Sequence, residues 1–359
     1  MLILNKITIT QFKNYDKAGF DFTKKVIGIC GLNGKGKTNL LDAIYYSCFT
    51  KSYFSASDIL NIQFEKDGFR LETEFSRQEQ KQVVVCINRG DNKKELFLND
   101  VPYEKFSKHI GFLPIVIIAP DDIELITGGS EKRRKYIDTI LSQVDAGYLQ
   151  HLIIYNKILL QRNSLLKSFY SQSDSMVLLE ILNKQLIPPS RIIFEKRKLL
   201  LEQLLPLVIK FYTDIAANAE MVSFQYNSQL QEQDIEILLN NFLQKDLLLM
   251  RSNAGIHKDD IGFLLDGQVF KNFASQGQRK SLLFALKLAE YEIIKIKKGF
   301  SPLLLLDDVF EKLDEKRMKN LLHWVCNENE GQVFITDTHR NRLEEAFNLL
   351  SIEGQILEL

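Results

Sequence analysis

The rhythm of apolar and polar residues changes twice along this chain of 359 residues. Through about residue 120, apolar residues come in short or alternating runs between charged turns. This pattern predicts strands at Ile7–Phe12, Phe20–Phe22, Phe69–Phe75, Gln82–Asn88 and Glu95–Leu98. Two runs are apolar throughout, Val26–Cys30 and Ile115–Ala119, the second ended by Pro120; both read as strands buried on two faces. Asn39–Cys48 instead spaces Leu40, Leu41, Ile44, Tyr45 and Cys48 along one side of a helix. From about residue 121 the helical rhythm takes over. Glycine almost disappears between Glu131 and Ala217, and Leu152, Tyr155, Ile158 and Leu159, then Leu199, Leu200, Leu204, Val208 and Phe211, mark helix faces. Pro188-Pro189 is expected to break or start a helix there. After Asn253 strands return at Ile261–Leu265, Leu303–Leu306 and Gln332–Thr336, with a helix from Ser281 to about Lys297. The pattern predicts an α/β fold in which residues 1–121 and 251–359 close one discontinuous domain. Residues 122–250 form an inserted helical arm, too short for a long coiled-coil rod, since even ~40 helical residues span only ~60 Å.

Candidate chemistry begins between the first buried strand and the first helix. Gly31-Leu32-Asn33-Gly34-Lys35-Gly36-Lys37-Thr38 fits the phosphate-loop pattern G-x-x-x-x-G-K-[ST]. Glycines let the backbone turn its N–H groups onto a phosphate. Lys37 is expected as a mobile, solvent-directed charge for the β- and γ-phosphates, and Thr38 as a hydroxyl for Mg²⁺. Phosphate at a helix N-terminus meets free N–H groups and a favourable dipole. A chain of this length meets the bare pattern by chance about one time in a hundred, so the flanking strand and helix carry much of the inference.

A second constellation lies downstream. Leu303–Leu306 runs into Asp307-Asp308. Asp307 suits Mg²⁺ and Asp308 the attacking water, because adjacent residues at a strand end point in different directions. The plain alternative is a core strand entering an acidic turn. Ser275-Gln276-Gly277-Gln278, opening a helix, repeats the anion-site logic; its alternative is an ordinary serine N-cap.

Composition narrows the partners. Lys+Arg and Asp+Glu balance at 46 each, so any nucleic-acid surface must be a local patch. The densest basic run is Lys132-Arg133-Arg134-Lys135; Lys93-Lys94 and Lys295-Lys297-Lys298 are others, and each also fits a solvated face. Cys30, Cys48, Cys86 and Cys326 are scattered without metal spacing, as in a reduced cytoplasmic protein. No apolar stretch approaches the ~20 residues of a membrane span.

Taken in order, the phosphate loop, Ser-Gln-Gly-Gln and Leu-Leu-Leu-Leu-Asp-Asp resemble ATP-binding-cassette (ABC) ATPases of the SMC type. Finer marks are similar to the bacterial RecF family: Phe12-Lys13-Asn14-Tyr15, Thr38–Ile44, Pro120-Asp121-Asp122, Gly129–Arg134, Gln161–Leu166, Gly255–Asp260 and Ala274–Arg279. The resemblance implies an ATP-dependent DNA-binding protein of recombinational repair. It would act on double-stranded DNA near single-strand gaps, help RecR and RecO load RecA, and hydrolyse ATP slowly when DNA stimulates it. It also implies an ATP-dependent homodimer. Gly31, Asn33, Gly34, Lys35, Gly36, Lys37, Thr38 and Asn39 would bind ATP. Gln278 would join the nucleotide-binding set, Ser275 and Gly277 would act across the interface, Thr38 and Asp307 would hold Mg²⁺, and Asp308, Asp307 and Lys37 would serve catalysis. Glu311-Lys312-Leu313-Asp314 resembles the loop that touches the dimer interface. Ser52-Tyr53-Phe54 stands where the family usually has an arginine, and Ile256 where it has a proline. His339 fits either a γ-phosphate sensor or a structural residue.

Three other readings share these motifs. A transporter ATPase would usually carry Leu-Ser-Gly-Gly-Gln, and lacks the Phe-Lys-Asn-Tyr opening. A nuclease-linked ATPase needs a further acidic cluster, for which the segment after Asp314 is expected to be too short. An ATP-gated DNA scaffold with negligible turnover needs the same residues as an active ATPase.

Overall fold

The computed structural model describes residues 1–78, 80–90, 93–168, 173–216, 220–308 and 315–359. They fall into two compact units: Met1–Ile123, Lys210–Asn218 and Ser275–Leu359 in the first, Glu124–Ile209 and Ala219–Ala274 in the second.

The first unit holds two sheets. An antiparallel sheet takes β1 (Leu2–Phe12), β2 (Tyr15–Asp21), β4 (Phe69–Arg77), β5 (Gln80–Asn88), β6 (Lys94–Leu98) and β7 (Val101–Pro102) in the order β2-β1-β4-β5-β6-β7. A parallel sheet takes β3 (Val26–Cys30), β8 (Ile115–Ile118), β12 (Leu303–Leu306), β13 (Val333–Asp337) and β14 (Gly354–Glu358) in the order β14-β3-β13-β12-β8. Every residue of β3, β8, β12 and β13 is buried, which is why these strands read as unbroken apolar runs. The N-terminal β3 lies between the C-terminal β13 and β14, and β8 beside β12, so one sheet needs both ends of the chain. Gln332 adds a buried tie, accepting from Leu4 N–H at 2.7 Å and donating to Leu4 C=O at 3.1 Å.

Helix α1 (Lys37–Phe49) packs against strands of both sheets. It is therefore buried on nearly all sides, including Asp42, Ala43, Tyr46 and Ser47, where the sequence predicted one apolar face.

In the second unit, helices Ser130–Val144 and Ala146–Lys167 and most of the helix Ser173–Ala216 accompany a three-stranded sheet. That sheet, β11-β10-β9, comprises β9 (Val222–Asn227), β10 (Asp260–Leu265) and β11 (Gln268–Val269). Residues 251–274, assigned by texture to the first domain, belong here. The reason is pairing: β10 runs antiparallel to β9 from Asp260↔Asn227 to Leu265↔Val222.

Pro188-Pro189 does not break the helix; both lie inside Ser173–Ala216. The prolines deprive the carbonyls of Lys184 and Gln185 of donors, and both residues lie on an exposed turn where water can replace them. One turn on, the Ser190 hydroxyl donates to Leu186 C=O at 2.6 Å. Among the described residues, no helix is long and apolar enough to cross a membrane.

Candidate nucleotide site

Strand β3 delivers the chain into the loop and α1 receives it. Gly36, the N-cap of α1, has φ 108°, a conformation that favours glycine. Leu32, Asn33, Gly34 and Lys35 are exposed, whereas Gly36 is buried and Gly31, Thr38 and Asn39 are half-buried. Lys37 departs from expectation. Its side chain turns inward, with 5% of the residue exposed, and Nζ donates to Gly31 C=O at 2.7 Å and Leu32 C=O at 3.3 Å. The strongly hydrated ammonium thus takes its acceptors from the loop that would hold the phosphate. Asn39 Nδ2 donates to Asn14 Oδ1 at 2.7 Å.

Residues far apart in sequence meet beside this loop. Thr38 Oγ1 lies 3.1 and 3.0 Å from the two carboxylate oxygens of Asp307. Thr336, at the end of β13, donates its hydroxyl to Asp307 Oδ1 at 2.8 Å and accepts the Asp308 N–H at 2.9 Å. Register places them: β12 runs parallel to both β8 and β13, and Asp307 N–H donates to Ile118 C=O at 2.8 Å. Asp307 is 4% exposed. Burial pushes its carboxyl up to about 6, against the hydrogen bonds from Thr336 and Thr38. Asp308 takes φ 47° and stays half-buried. The strand end thus offers one acid within and one at the surface.

The donor set fits Mg²⁺. A threonine hydroxyl and a buried carboxylate short of positive charge are hard oxygen ligands, and Mg²⁺ usually takes few of these from protein. Among the described residues, no group of three or more His, Cys, Asp or Glu could hold a metal ion.

Ser275, Gly277 and Gln278 form a separate cluster at the start of the helix Gln276–Lys298. Ser275 Oγ accepts the Gln278 N–H at 3.2 Å, and Gln278 Oε1 accepts the Ser275 N–H at 2.6 Å, a complete capping box. The sequence anticipated the N-cap, but not that Gln278 folds back to complete it. A Cβ on Gly277 would lie 2.2 Å from Arg317 Nη1, so this guanidinium rests against the motif. Glu311-Lys312-Leu313-Asp314 lies outside the described residues.

Other expected positions resolve differently. Ser52 and Tyr53 face inward: Ser52 Oγ donates to Asp42 at 2.6 Å, and the Tyr53 hydroxyl donates to Asp122. His339 is exposed, and its N–H is taken by Asp337 at 2.6 Å. Of the basic run, Arg133 is buried and pairs with Asp260 at 2.6 Å, Arg134 donates to Asp259 C=O at 2.7 Å, and Lys132 meets Glu124 at 2.7 Å. Lys132 and Lys135 are the exposed members of the run, Lys132 in an ion pair with the equally exposed Glu124. Thr336 was the residue missed at the site; its one signal was a hydroxyl ending an apolar strand.

Comparison with known proteins agrees with this geometry. The family model described as RecF/RecN/SMC N terminal domain matches residues 3–355. The DNA replication and repair protein RecF of Flavobacterium johnsoniae is 44% identical over 342 residues, 95% of each chain. That of Bacteroides thetaiotaomicron is 38% identical over the whole chain and 97% of its own. The solved structure of the recombination mediator protein RecF-ATP in the RecFOR pathway superposes with a TM-score of 0.87 at 30% identity, covering 94% of this chain and 92% of that one. An SMC head domain from Pyrococcus furiosus, at TM-score 0.55 and 16% identity over 96% of this chain and 92% of its own, shares the fold alone. With its phosphate loop, paired strand-end acids and full-length match, this chain belongs to the RecF family of SMC-type ABC ATPases.

Proposed function

We propose that the protein binds Mg²⁺-ATP at Gly31, Asn33, Gly34, Lys35, Gly36, Lys37, Thr38 and Asn39, and hydrolyses it slowly when DNA is present. The observation that carries this reading is the meeting of Thr38 and Asp307 beside the loop, although 269 residues separate them. Lys37 exchanges its loop carbonyls for phosphate oxygens, and the loop N–H groups orient the phosphates. Magnesium, when bound, would supply positive charge to neutralise the phosphates. Thr38 and Asp307 hold it, while Asp308 orients the attacking water and accepts its proton.

Ser275, Gly277 and Gln278 serve the nucleotide of a second copy, so ATP drives a homodimer that closes on double-stranded DNA near gaps. RecR and RecO are its partners in loading RecA. RecF relatives at 37–44% identity and the RecFOR context of the matched structures support this. On this reading the first unit is the ATPase head and the second the arm.

The test mixes two inactive variants, Lys37→Ala and Ser275→Arg. A mixed dimer carries both defects in one composite site and leaves the other intact, so DNA-stimulated hydrolysis returns. If Ser275 served its own subunit, mixing would restore nothing. A mixture that stays silent, with heterodimers confirmed by mass, and that also stays silent when Ser275→Arg is paired with Asp308→Asn, overturns the trans arrangement.

A further inference from the structure

Phe12-Lys13-Asn14-Tyr15, singled out in the sequence, has no task in the reaction just described. It forms the tip of the β1–β2 hairpin, where Phe12 pairs with Tyr15 and Lys13 takes φ 51°. Every residue of the tip reaches the phosphate loop, α1 or the core beneath them. Phe12 packs edge-on to Tyr46 of α1. Lys13 Nζ meets the buried Asp42 of α1 at 2.5 Å. Asn14 accepts from Asn39 and donates to Gly34 C=O at 3.4 Å. The Tyr15 hydroxyl donates to Gly36 C=O at 3.1 Å. A Cβ added to Gly36 would lie 2.8 Å from Asn14 Nδ2 and 2.9 Å from the Tyr15 hydroxyl, so the tip sits directly on the loop.

We infer that the hairpin tip is a brace that presets the phosphate loop for a nucleoside di- or triphosphate, with Tyr15 as its positioning residue. The inference rests on the nucleotide-binding reading above. Gly36 C=O receives two donors, the Tyr15 hydroxyl and the Leu40 N–H at 2.8 Å. Across a trans peptide the C=O and the following N–H point in opposite directions. Holding the Gly36 carbonyl therefore fixes the direction of the Lys37 N–H. That N–H opens α1 and has no partner within the helix, which leaves it for a phosphate oxygen. Phe20 holds the Tyr15 ring edge-on at 5.9 Å. Burial pushes the Tyr15 phenol up to about 12, so it stays a donor across the working range.

Tyr15→Phe tests this, because it keeps the ring and removes only the hydroxyl. Affinities of the full chain for ATP and ADP are measured by competition with a fluorescent ATP analogue, alongside melting temperature without nucleotide. The Lys37 amide resonance is followed in ¹⁵N-labelled protein. Both nucleotides bind about fivefold more weakly, by the same factor, as expected for one hydrogen bond lost from a carbonyl that keeps its second donor. The Lys37 amide resonance moves while the melting temperature changes little. Asn14→Ala, at the exposed tip, weakens both by about twofold, since its bond to Gly34 is long. Wild-type affinity in Tyr15→Phe, or a loss that only tracks a fall in melting temperature with Asn14→Ala neutral, overturns the brace. A parent protein that binds neither nucleotide overturns the nucleotide reading itself, and the brace with it.

Discussion

In the second unit Arg162 is fully buried, with Nη1 on Asp246 and on Ser252 at 2.7 Å each and Nε on Asn183 at 2.7 Å. Arg197, 2% exposed, meets Asp259 and the Ile256 carbonyl at 2.8 Å and Asp138 at 2.9 Å. In the first unit Lys37 rests on two loop carbonyls and Asp307 on two hydroxyls, without a close ion pair between them. Both units bury charge, which costs several kcal/mol per ion unless it is compensated. The second unit compensates inside the protein: Arg197 forks onto Asp138 and reaches Asp259 through Nη1, and Arg162 meets Asp246 through Nη1, which ties helices to the 250–260 segment. The first unit pairs buried charge as well, Lys13 with Asp42 and Lys287 with Glu290, but at the phosphate loop Lys37 and Asp307 take only neutral hydrogen-bond partners. A buried charge paired with its opposite is scaffold; a buried charge held by neutral groups is a candidate site.

The sharpest way to break that contrast is to remove one member of a buried ion pair. Arg162→Ala leaves Asp246 buried without its cation, and should cost the second unit about 4 kcal/mol. Trp324, the single tryptophan, packs on Phe211 and Tyr291 in the first unit and reports that unit alone. Denaturant unfolding followed by circular dichroism should therefore begin earlier, with the Trp324 fluorescence midpoint unchanged. A common shift in both signals would show the units unfolding as one.

Lys37→Ala should act in the opposite sense. Its Nζ is bonded to carbonyls of an exposed loop, so stability should hold while ATP affinity falls about a hundredfold, the scale of one charged hydrogen-bonding group. Titration with a fluorescent ATP analogue checks this, and retained binding would remove Lys37 from the site.

Acid should touch both units alike. His109 offers Nε2 to Ser47 C=O at 2.8 Å and Nδ1 to the Tyr103 hydroxyl at 3.2 Å. His257 repeats the arrangement with Ser252 C=O at 3.2 Å and the Tyr155 hydroxyl at 2.6 Å. Burial lowers both imidazoles to about 4. The unfolded state then binds the extra proton first, so this stability is whole above pH 6.5 and is lost as pH falls toward 4. Each histidine should contribute a loss of about 2 kcal/mol at pH 5 relative to pH 8. His109→Gln and His257→Gln should each flatten the acid side of the stability profile; an unchanged profile would mean that folding does not alter the proton affinity of these imidazoles.

Thr336→Val should have the smallest effect. It removes the hydroxyl shared by Asp307 and the Asp308 N–H, so the Mg²⁺ concentration for half-maximal ATPase should rise about tenfold. No change would leave Thr336 a packing residue.

The phosphate loop was legible because its chemistry is contiguous: glycines, lysine and threonine must be adjacent to wrap one phosphate. The buried strands were legible because each is apolar throughout. β14 was missed since Gln355 and Glu358 interrupt its pattern, and only pairing with β3 orders it. β9 alternates cleanly, with Val222, Phe224 and Tyr226 inward and Ser223, Gln225 and Asn227 exposed; it was passed over because the helical rhythm on either side was extended across it. The run Lys132–Lys135 read as a surface patch because sequence does not show Asp260, 127 residues from Arg133.

Sequence alone determined the α/β class, the RecF-type motifs and the identity of the acids at the end of β12, because each depends on residues within one turn or one strand. Tertiary structure alone decided what those groups touch. Parallel pairing of β12 with β8 and β13 sets Asp307 against Thr38 and Thr336, and packing between two sheets buries α1 all round. The hairpin at Asn14 and Tyr15 hydrogen-bonds to a loop some twenty residues away. Such contacts depend on register and burial between segments that share no local pattern, so the chain has to fold before they exist.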